Sequence, residues 1–167
     1  MAPSRNSRCV RRTIVIVAEG EHDKALLRHL KRCVGRRTSD FTVTISNAHG
    51  RGAKHVIDKA KAHKRNGYDS AAAFFDTDTD WNDAVRKAAT GIILLPSDPC
   101  LEAMLLRVAG IRVRDGDDLK ARFAPLVNDR PGDPDAYALH FPLDRLRAAR
   151  TWEKTIDRLL TLFETGR

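Results

Sequence analysis

Asp76, Asp78 and Asp80 stand two residues apart, directly after the apolar run 71–75. The run reads as a buried strand bounded by polar residues. Its acids then fall at or just past the strand's C-terminal end, where open α/β sheets place their sites. Three carboxylates this close repel one another. A hard divalent cation with oxygen ligands is the simplest compensation, so the spacing predicts bound Mg²⁺ or Mn²⁺.

Two further segments carry acids toward the same edge. The β-branched run 13–18 is followed by Glu19-Gly20-Glu21-His22-Asp23. Glu19 sits where that strand ends, and Gly20 allows a tight turn or the close approach of a phosphate. Asp23 either serves the dipole of the following helix or shares a metal with Glu19. In a parallel sheet the first and third strand ends can lie side by side, which would set Glu19 against Asp76 and Asp78. After a fourth apolar run, 92–95, comes Ser97-Asp98-Pro99-Cys100-Leu101-Glu102. Glu102 is either a helix-start acid or a further metal ligand.

The elements that must position these residues alternate. Strands are expected over 13–18, 41–46, 70–75 and 92–95. Between them lie a helix of about 22–34, a basic helix ending near Arg65, and a helix containing Trp81, Val85 and Ala88. Another helix spans 100–108. This β-α-β-α order predicts an α/β fold: three layers around a mainly parallel four-stranded sheet, Rossmann-like in its winding. Beyond Gly110 the pattern weakens. Residues 112–118 read as a charged loop or short strand, 119–127 as a short helix, and 143–163 as one amphipathic helix with Trp152 in its apolar face. The expected organisation is a flexible basic arm over 1–11, a catalytic core over 12–110, and a mostly helical extension over 111–167 packed on the core.

The 167 residues suit one domain with a real core, and 42% hydrophobic content argues against global disorder. No apolar run approaches the roughly 20 residues that span a bilayer. The run 13–18 is too short for a signal-peptide core, so a cytoplasmic protein with no membrane partner is expected. Cys9, Cys33 and Cys100 form neither a CxxC pair nor a disulfide framework, and His22, His29, His55, His63 and His140 make no i,i+4 metal pattern with a Glu, so none is expected as a ligand. The net charge of +8 is uneven: 16 Lys/Arg face 5 Asp/Glu over residues 1–65, and 14 face 17 over the rest. A basic half beside an acidic cluster suits a polyanionic substrate with a metal at the reacting centre.

Val17–Asp23 (VAEGEHD) and Phe74–Asp80 (FFDTDTD) together resemble the Toprim domain of topoisomerases, primases and small nucleases. The segment Pro96-Ser97-Asp98-Pro99-Cys100-Leu101-Glu102-Ala103-Met104-Leu105-Leu106 resembles the Ser-Asn-Pro-Cys-Phe-Glu-x-Trp-Leu-Leu pattern of RloB-like proteins, of the OLD-type Toprim branch. Asp98 stands where that pattern has Asn, and Ala103-Met104 replaces the bulky pair. The resemblance spans about residues 12–108. It implies a Mg²⁺- or Mn²⁺-dependent nuclease in phage defence or a mobile element, acting on DNA rather than RNA, with a partner ATPase and oligomerisation as further expectations. Glu19 would be general acid/base or metal ligand, and Asp76 and Asp78 would hold Mg²⁺. Asp23 and Glu102 would help hold a second metal, and Asp80 matches the third acid of the topoisomerase pattern.

Two other functions fit parts of the chain. Asp76-Thr77-Asp78-Thr79 satisfies the DxDxT pattern of haloacid-dehalogenase-type phosphatases, with Asp76 as nucleophile. That pattern normally lies on the first strand, whereas here a whole β-α-β-α unit precedes it. A non-catalytic Toprim-like subunit that grips nucleic acid or a partner protein is the other. In either nucleic-acid reading, His49, Arg51 and Lys54 follow the second strand in a Gly-flanked loop. They would contact phosphate, or merely form a solvated helix start.

Overall fold

The computed structural model describes residues 11–35 and 40–167. Apart from Arg11, the expected basic arm lies outside the described residues. Four parallel strands form one sheet in the order β2-β1-β3-β4: β1 Arg12–Ala18, β2 Phe41–Asn47, β3 Ser70–Asp76 and β4 Ile93–Ser97. They follow the expected runs to within two residues. The register sets Ala18 beside Phe74 and Asp76 beside Ser97, so the four C-terminal ends form one edge.

Helices cover both faces, as period-two burial requires. Ile14, Ile16, Ala72, Phe74 and Leu95 face α1 (Glu21–Val34), α4 (Leu101–Val108) and the C-terminal elements. Val15, Val17, Ala71, Ala73 and Phe75 face α2 (Gly52–Arg65) and the side carrying α3 (Asp83–Ala88). The chain leaves β1 for one face and β3 for the other. The crevice between β1 and β3 is therefore the point where the winding reverses, the usual position for a ligand in an open α/β sheet.

Residues 111–167 pack on the α1/α4 face. They contain α5 (Leu119–Phe123), 3₁₀ turns at Ala124–Val127 and Pro134–Tyr137, α6 (Leu143–Ala149) and α7 (Lys154–Thr165). Phe123, Val127, Tyr137, Phe141, Leu146, Ile156 and Leu160 join the same buried cluster as α1 and α4. Residues 112–118 form a loop, without a strand. The single helix expected over 143–163 is two helices. The N–H groups of Trp152 and Glu153 both bond back to Ala149 O, which closes a turn. Arg150 then reaches Asp157, Thr161 and Glu164, folding α7 back along α6. Trp152 rides on this turn at 53% exposure, outside the core. Apolar spacing runs unbroken across the turn, which is why periodicity alone joined the two.

Both sheet edges are covered by side chains. On β2, Lys31 Nζ donates to Val43 O at 2.6 Å, and Lys59 Nζ donates to Asn47 O. On β4, Thr155 Oγ1 donates to Pro96 O at 2.5 Å, and Arg158 Nη1 donates to Leu94 O at 3.1 Å. Val43 and Asn47 lie four residues apart and Leu94 and Pro96 two, so these carbonyls face outward, where an edge strand leaves its acceptors open.

Candidate metal centre

Glu19 is placed by strand pairing. Its N–H continues the β1–β3 ladder to Phe74 O at 3.0 Å, and its carbonyl accepts from Gly50 N at 2.8 Å. Its side chain then spans the crevice: Glu19 Oε2 accepts the main-chain N–H of Asp76 at 3.1 Å. Gly20 is extended, with φ −131°, and forms the N-cap of α1. The chain bends at Glu19 and Gly20 as it enters the helix. A Cβ at Gly20 would meet Asp23 Oδ2 at 3.5 Å, ordinary van der Waals contact.

Asp23 lies in the first turn of α1. Its Oδ2 accepts the Gly20 N–H at 2.9 Å, the reciprocal half of a capping box. Its Oδ1 is buried and has no hydrogen-bond partner. An unmatched carboxylate oxygen in a residue only 6% exposed is costly. Burial, and after it the Asp76 charge, pushes the Asp23 carboxyl well above its ordinary range. The Gly20 N–H opposes this, and Glu19 and Glu102 add to it.

Asp76 ends β3. The Leu101 N–H, at the start of α4, donates to Asp76 Oδ1 at 2.9 Å. The N–H groups of Thr77 and Asp78 both donate to Pro99 O, at 2.9 and 3.2 Å. The acid-tipped turn is thus locked to the segment that delivers Glu102. Burial, then the Glu19 charge, pushes Asp76 up to about 7; Leu101 pulls it back, while Glu102 and Asp78 push further. Glu102 is only 6% exposed, on the first turn of α4. Cys100, its N-cap neighbour, is packed and its thiol is pushed up to about 11, chiefly by burial.

These side chains line one cleft of about 630 Å³. Among the described residues its wall carries eight carboxylates, including Glu19, Asp23, Asp76, Asp78 and Glu102, against one lysine, Lys120. Sequence reading missed the far wall, residues 117–120. Asp117 is ion-paired with Arg122, and Asp118 caps α5 through Ala121 N, so both are already engaged. Nothing local marked this loop as part of the site; only the packing of the extension brings it there. Tyr137 was likewise inconspicuous. It is fully buried beneath the cluster, and its hydroxyl donates to Pro131 O at 2.7 Å with His22 O at 3.3 Å. Burial, then Asp23 and Glu102, raises its phenol well beyond the ordinary range.

Asp80 does not belong to this centre. Its Oδ1 accepts Ala53 N at 2.6 Å and its Oδ2 accepts Lys54 N at 3.2 Å, so it caps the start of α2. Four exposed donors at a helix N-terminus attract a carboxylate. Gly52 makes room for it: a Cβ there would lie 2.6 Å from Asp80 Oδ1. The helix expected to contain Trp81 begins after it, at Asp83, because Asn82 caps it: Asn82 Oδ1 accepts Val85 N at 3.0 Å.

The loop 49–52 is wound left-handed throughout, with His49 at φ 62° and Arg51 at φ 79° among the non-glycines. Such a backbone costs of order 1–3 kcal/mol per non-glycine residue. Gly50 lines the cleft, and exposed His49 and Arg51 flank it. Lys54 points elsewhere, ion-paired with Asp58 at 3.0 Å on the outer face of α2.

The donor set suits a hard divalent cation. Its members are carboxylate oxygens, one is buried without a partner, and another is driven toward neutrality by burial and then by its neighbours' charge. Among the described residues no three side chains already converge as a closed ligand set. Also among the described residues, no helix is long and apolar enough to cross a membrane. Comparison with protein-family models, with curated proteins and with solved structures gives no match for this chain.

Proposed function

We propose that the protein is a Mg²⁺- or Mn²⁺-dependent hydrolase of nucleic-acid phosphodiester bonds, of the Toprim type. One observation carries the reading. Asp23 and Glu102 are buried beside half-buried Asp76 at the winding reversal, Glu19 stands at the end of the neighbouring strand, and Asp23 Oδ1 has no partner. Such an arrangement is poorly compensated without a cation.

Asp23, Asp76, Asp78 and Glu102 would hold the metal. Bound there, one or two ions supply charge neutralisation at phosphorus, an activated water and leaving-group stabilisation. Glu19, whose Oε2 accepts the Asp76 N–H, lines the cleft and would act there as a proton acceptor or further ligand. Phosphate enters past His49 and Arg51. The wall is otherwise so acidic that a polyanion would be repelled from it without the metal. DNA is the preferred substrate in this reading, in a phage-defence or mobile-element setting with a partner ATPase.

A phosphatase with Asp76 as nucleophile is less well supported. Asp76 Oδ1 is engaged by Leu101 N, and Asp76 ends the third strand of the chain, after a whole β-α-β-α unit, whereas the phosphatase pattern normally lies on the first. The test is cleavage of plasmid, single-stranded DNA and tRNA by purified protein with Mg²⁺ or Mn²⁺, alongside calorimetry. Cleavage that Glu19→Ala abolishes supports the proposal. Absence of both cleavage and metal binding overturns it.

A further inference from the structure

We infer that His22 supplies a nitrogen ligand to the cation of the carboxylate cleft, and that this selects Mn²⁺ over Mg²⁺. The inference rests on the metal-centre reading above and deepens it.

His22 occupies the first turn of α1, between Glu21 and Asp23, and lines the cleft. Its Nδ1 lies 3.8 Å from Oε1 of buried Glu102, 80 residues away in sequence. That separation is too long for a hydrogen bond. Two atoms that share an ion, each at about 2.0–2.2 Å from it, lie roughly 3–4.3 Å apart, depending on the angle between them. The His22–Glu102 gap falls inside that range.

The neighbouring residue gives a second, independent sign. Asp23 Oδ1 is buried, unpartnered and on the same wall. Two consecutive residues of one helical turn, one bearing an imidazole and the other an unmatched carboxylate oxygen, therefore line one cleft. The backbone between them is anchored from below by the Tyr137 hydroxyl, near His22 O. Among the described residues no hydrogen bond engages the His22 ring, which is half-exposed and able to turn toward an ion.

The chemistry favours one class of metal. Mg²⁺ keeps oxygen ligands and water, whereas first-row transition ions accept imidazole as well as carboxylate. A neutral imidazole also completes the coordination without adding charge to a wall that already carries eight carboxylates. Helical His–Glu spacing could not reveal this pair, because its members lie on α1 and α4.

The test uses the full chain, stripped of metal and titrated with Mn²⁺ and with Mg²⁺ by calorimetry near neutral pH. Pulsed electron paramagnetic resonance of the Mn²⁺ complex reads nitrogen coupling directly. The expected result is nitrogen coupling in the wild type and Mn²⁺ affinity at least about tenfold above Mg²⁺. In His22→Ala the coupling disappears and Mn²⁺ affinity falls about tenfold, with Mg²⁺ affinity little changed. Circular dichroism checks that the variant folds, and the wild-type spectrum does not depend on it. A Mn²⁺ complex without nitrogen coupling, or an unchanged Mn²⁺/Mg²⁺ ratio in His22→Ala, overturns the role of His22 and leaves the carboxylate site standing. Failure of the wild type to bind either ion overturns both.

Discussion

The side chain of Glu19 accepts the main-chain N–H of Asp76 at 3.1 Å, tying the ends of β1 and β3 across the crevice between them. One carboxylate thus does two jobs: it satisfies a backbone donor and places charge beside Asp76. The two jobs separate by substitution. Glu19→Gln keeps an oxygen for the Asp76 N–H and is expected to fold with wild-type thermal stability while losing metal-dependent cleavage. Glu19→Ala loses cleavage and also leaves the N–H unpaired, at a cost of about 1 kcal/mol. Thermal melts and cleavage assays on the pair check this. Full activity in Glu19→Gln would remove Glu19 from the chemistry.

The metal-free protein should be less stable at pH 8 than at pH 5 on account of Asp76. Its carboxyl sits at about 7 in the fold, against an ordinary value of 3.8. The folded state therefore holds this proton more tightly than the unfolded chain. The resulting stabilisation is complete below about pH 4 and is lost as pH rises toward 7. Asp23 acts in the same sense. Asp76→Asn, which retains an acceptor for Leu101 N, should stabilise the metal-free protein at pH 8 by about 1–3 kcal/mol. Added divalent cation should raise the melting temperature of the wild type only. Denaturant titrations at several pH values measure both effects, and identical pH dependence in the two proteins would refute the assignment.

Asp80→Ala should cost stability without touching metal affinity. It removes the acceptor for Ala53 and Lys54 N–H at the start of α2, a loss of about 1–2 kcal/mol. Gly52→Ala should cost at least about 2 kcal/mol, because it combines φ 79° with a contact of 2.6 Å to Asp80. Calorimetric metal titration alongside the melts distinguishes a helix cap from a ligand. A large fall in metal affinity in Asp80→Ala would return Asp80 to the centre.

Arg51→Ala should weaken nucleic-acid binding in a salt-dependent way, whereas Lys54→Ala should change it little. Arg51 flanks the cleft, while Lys54 is paired with Asp58 away from it. Loss of one phosphate contact lowers the slope of log affinity against log salt by about 1. Fluorescence anisotropy at several salt concentrations gives the slopes. Equal effects from both variants would argue for diffuse charge.

The sheet and the convergence of Glu19, Asp23, Asp76, Asp78 and Glu102 were legible because strand runs and their terminal acids are local signals. Parallel pairing of β1 with β3 then brings them together. Asp80 was misread for a physical reason: spacing reports proximity along the chain, whereas the donors that claimed Asp80 lie on α2, 27 residues earlier. Tyr137 and the 117–120 wall come from the extension, and Tyr137 meets His22 115 residues away in sequence. The break between α6 and α7 depends on Arg150 finding three partners further along the chain, which apolar periodicity does not record.

Lys31, Lys59, Thr155 and Arg158 occupy two outward carbonyls on each of β2 and β4. The sheet therefore ends where it is, with these acceptors on both flanks already taken. A second copy of the chain, or an extended peptide, is poorly placed to add a strand. Self-association would have to run through helical surfaces. Partner proteins would likewise meet helices and loops and not a sheet edge. Part of the chain's positive charge is also committed in this way, so the cations free to meet a polyanion are fewer than the net of +8 suggests.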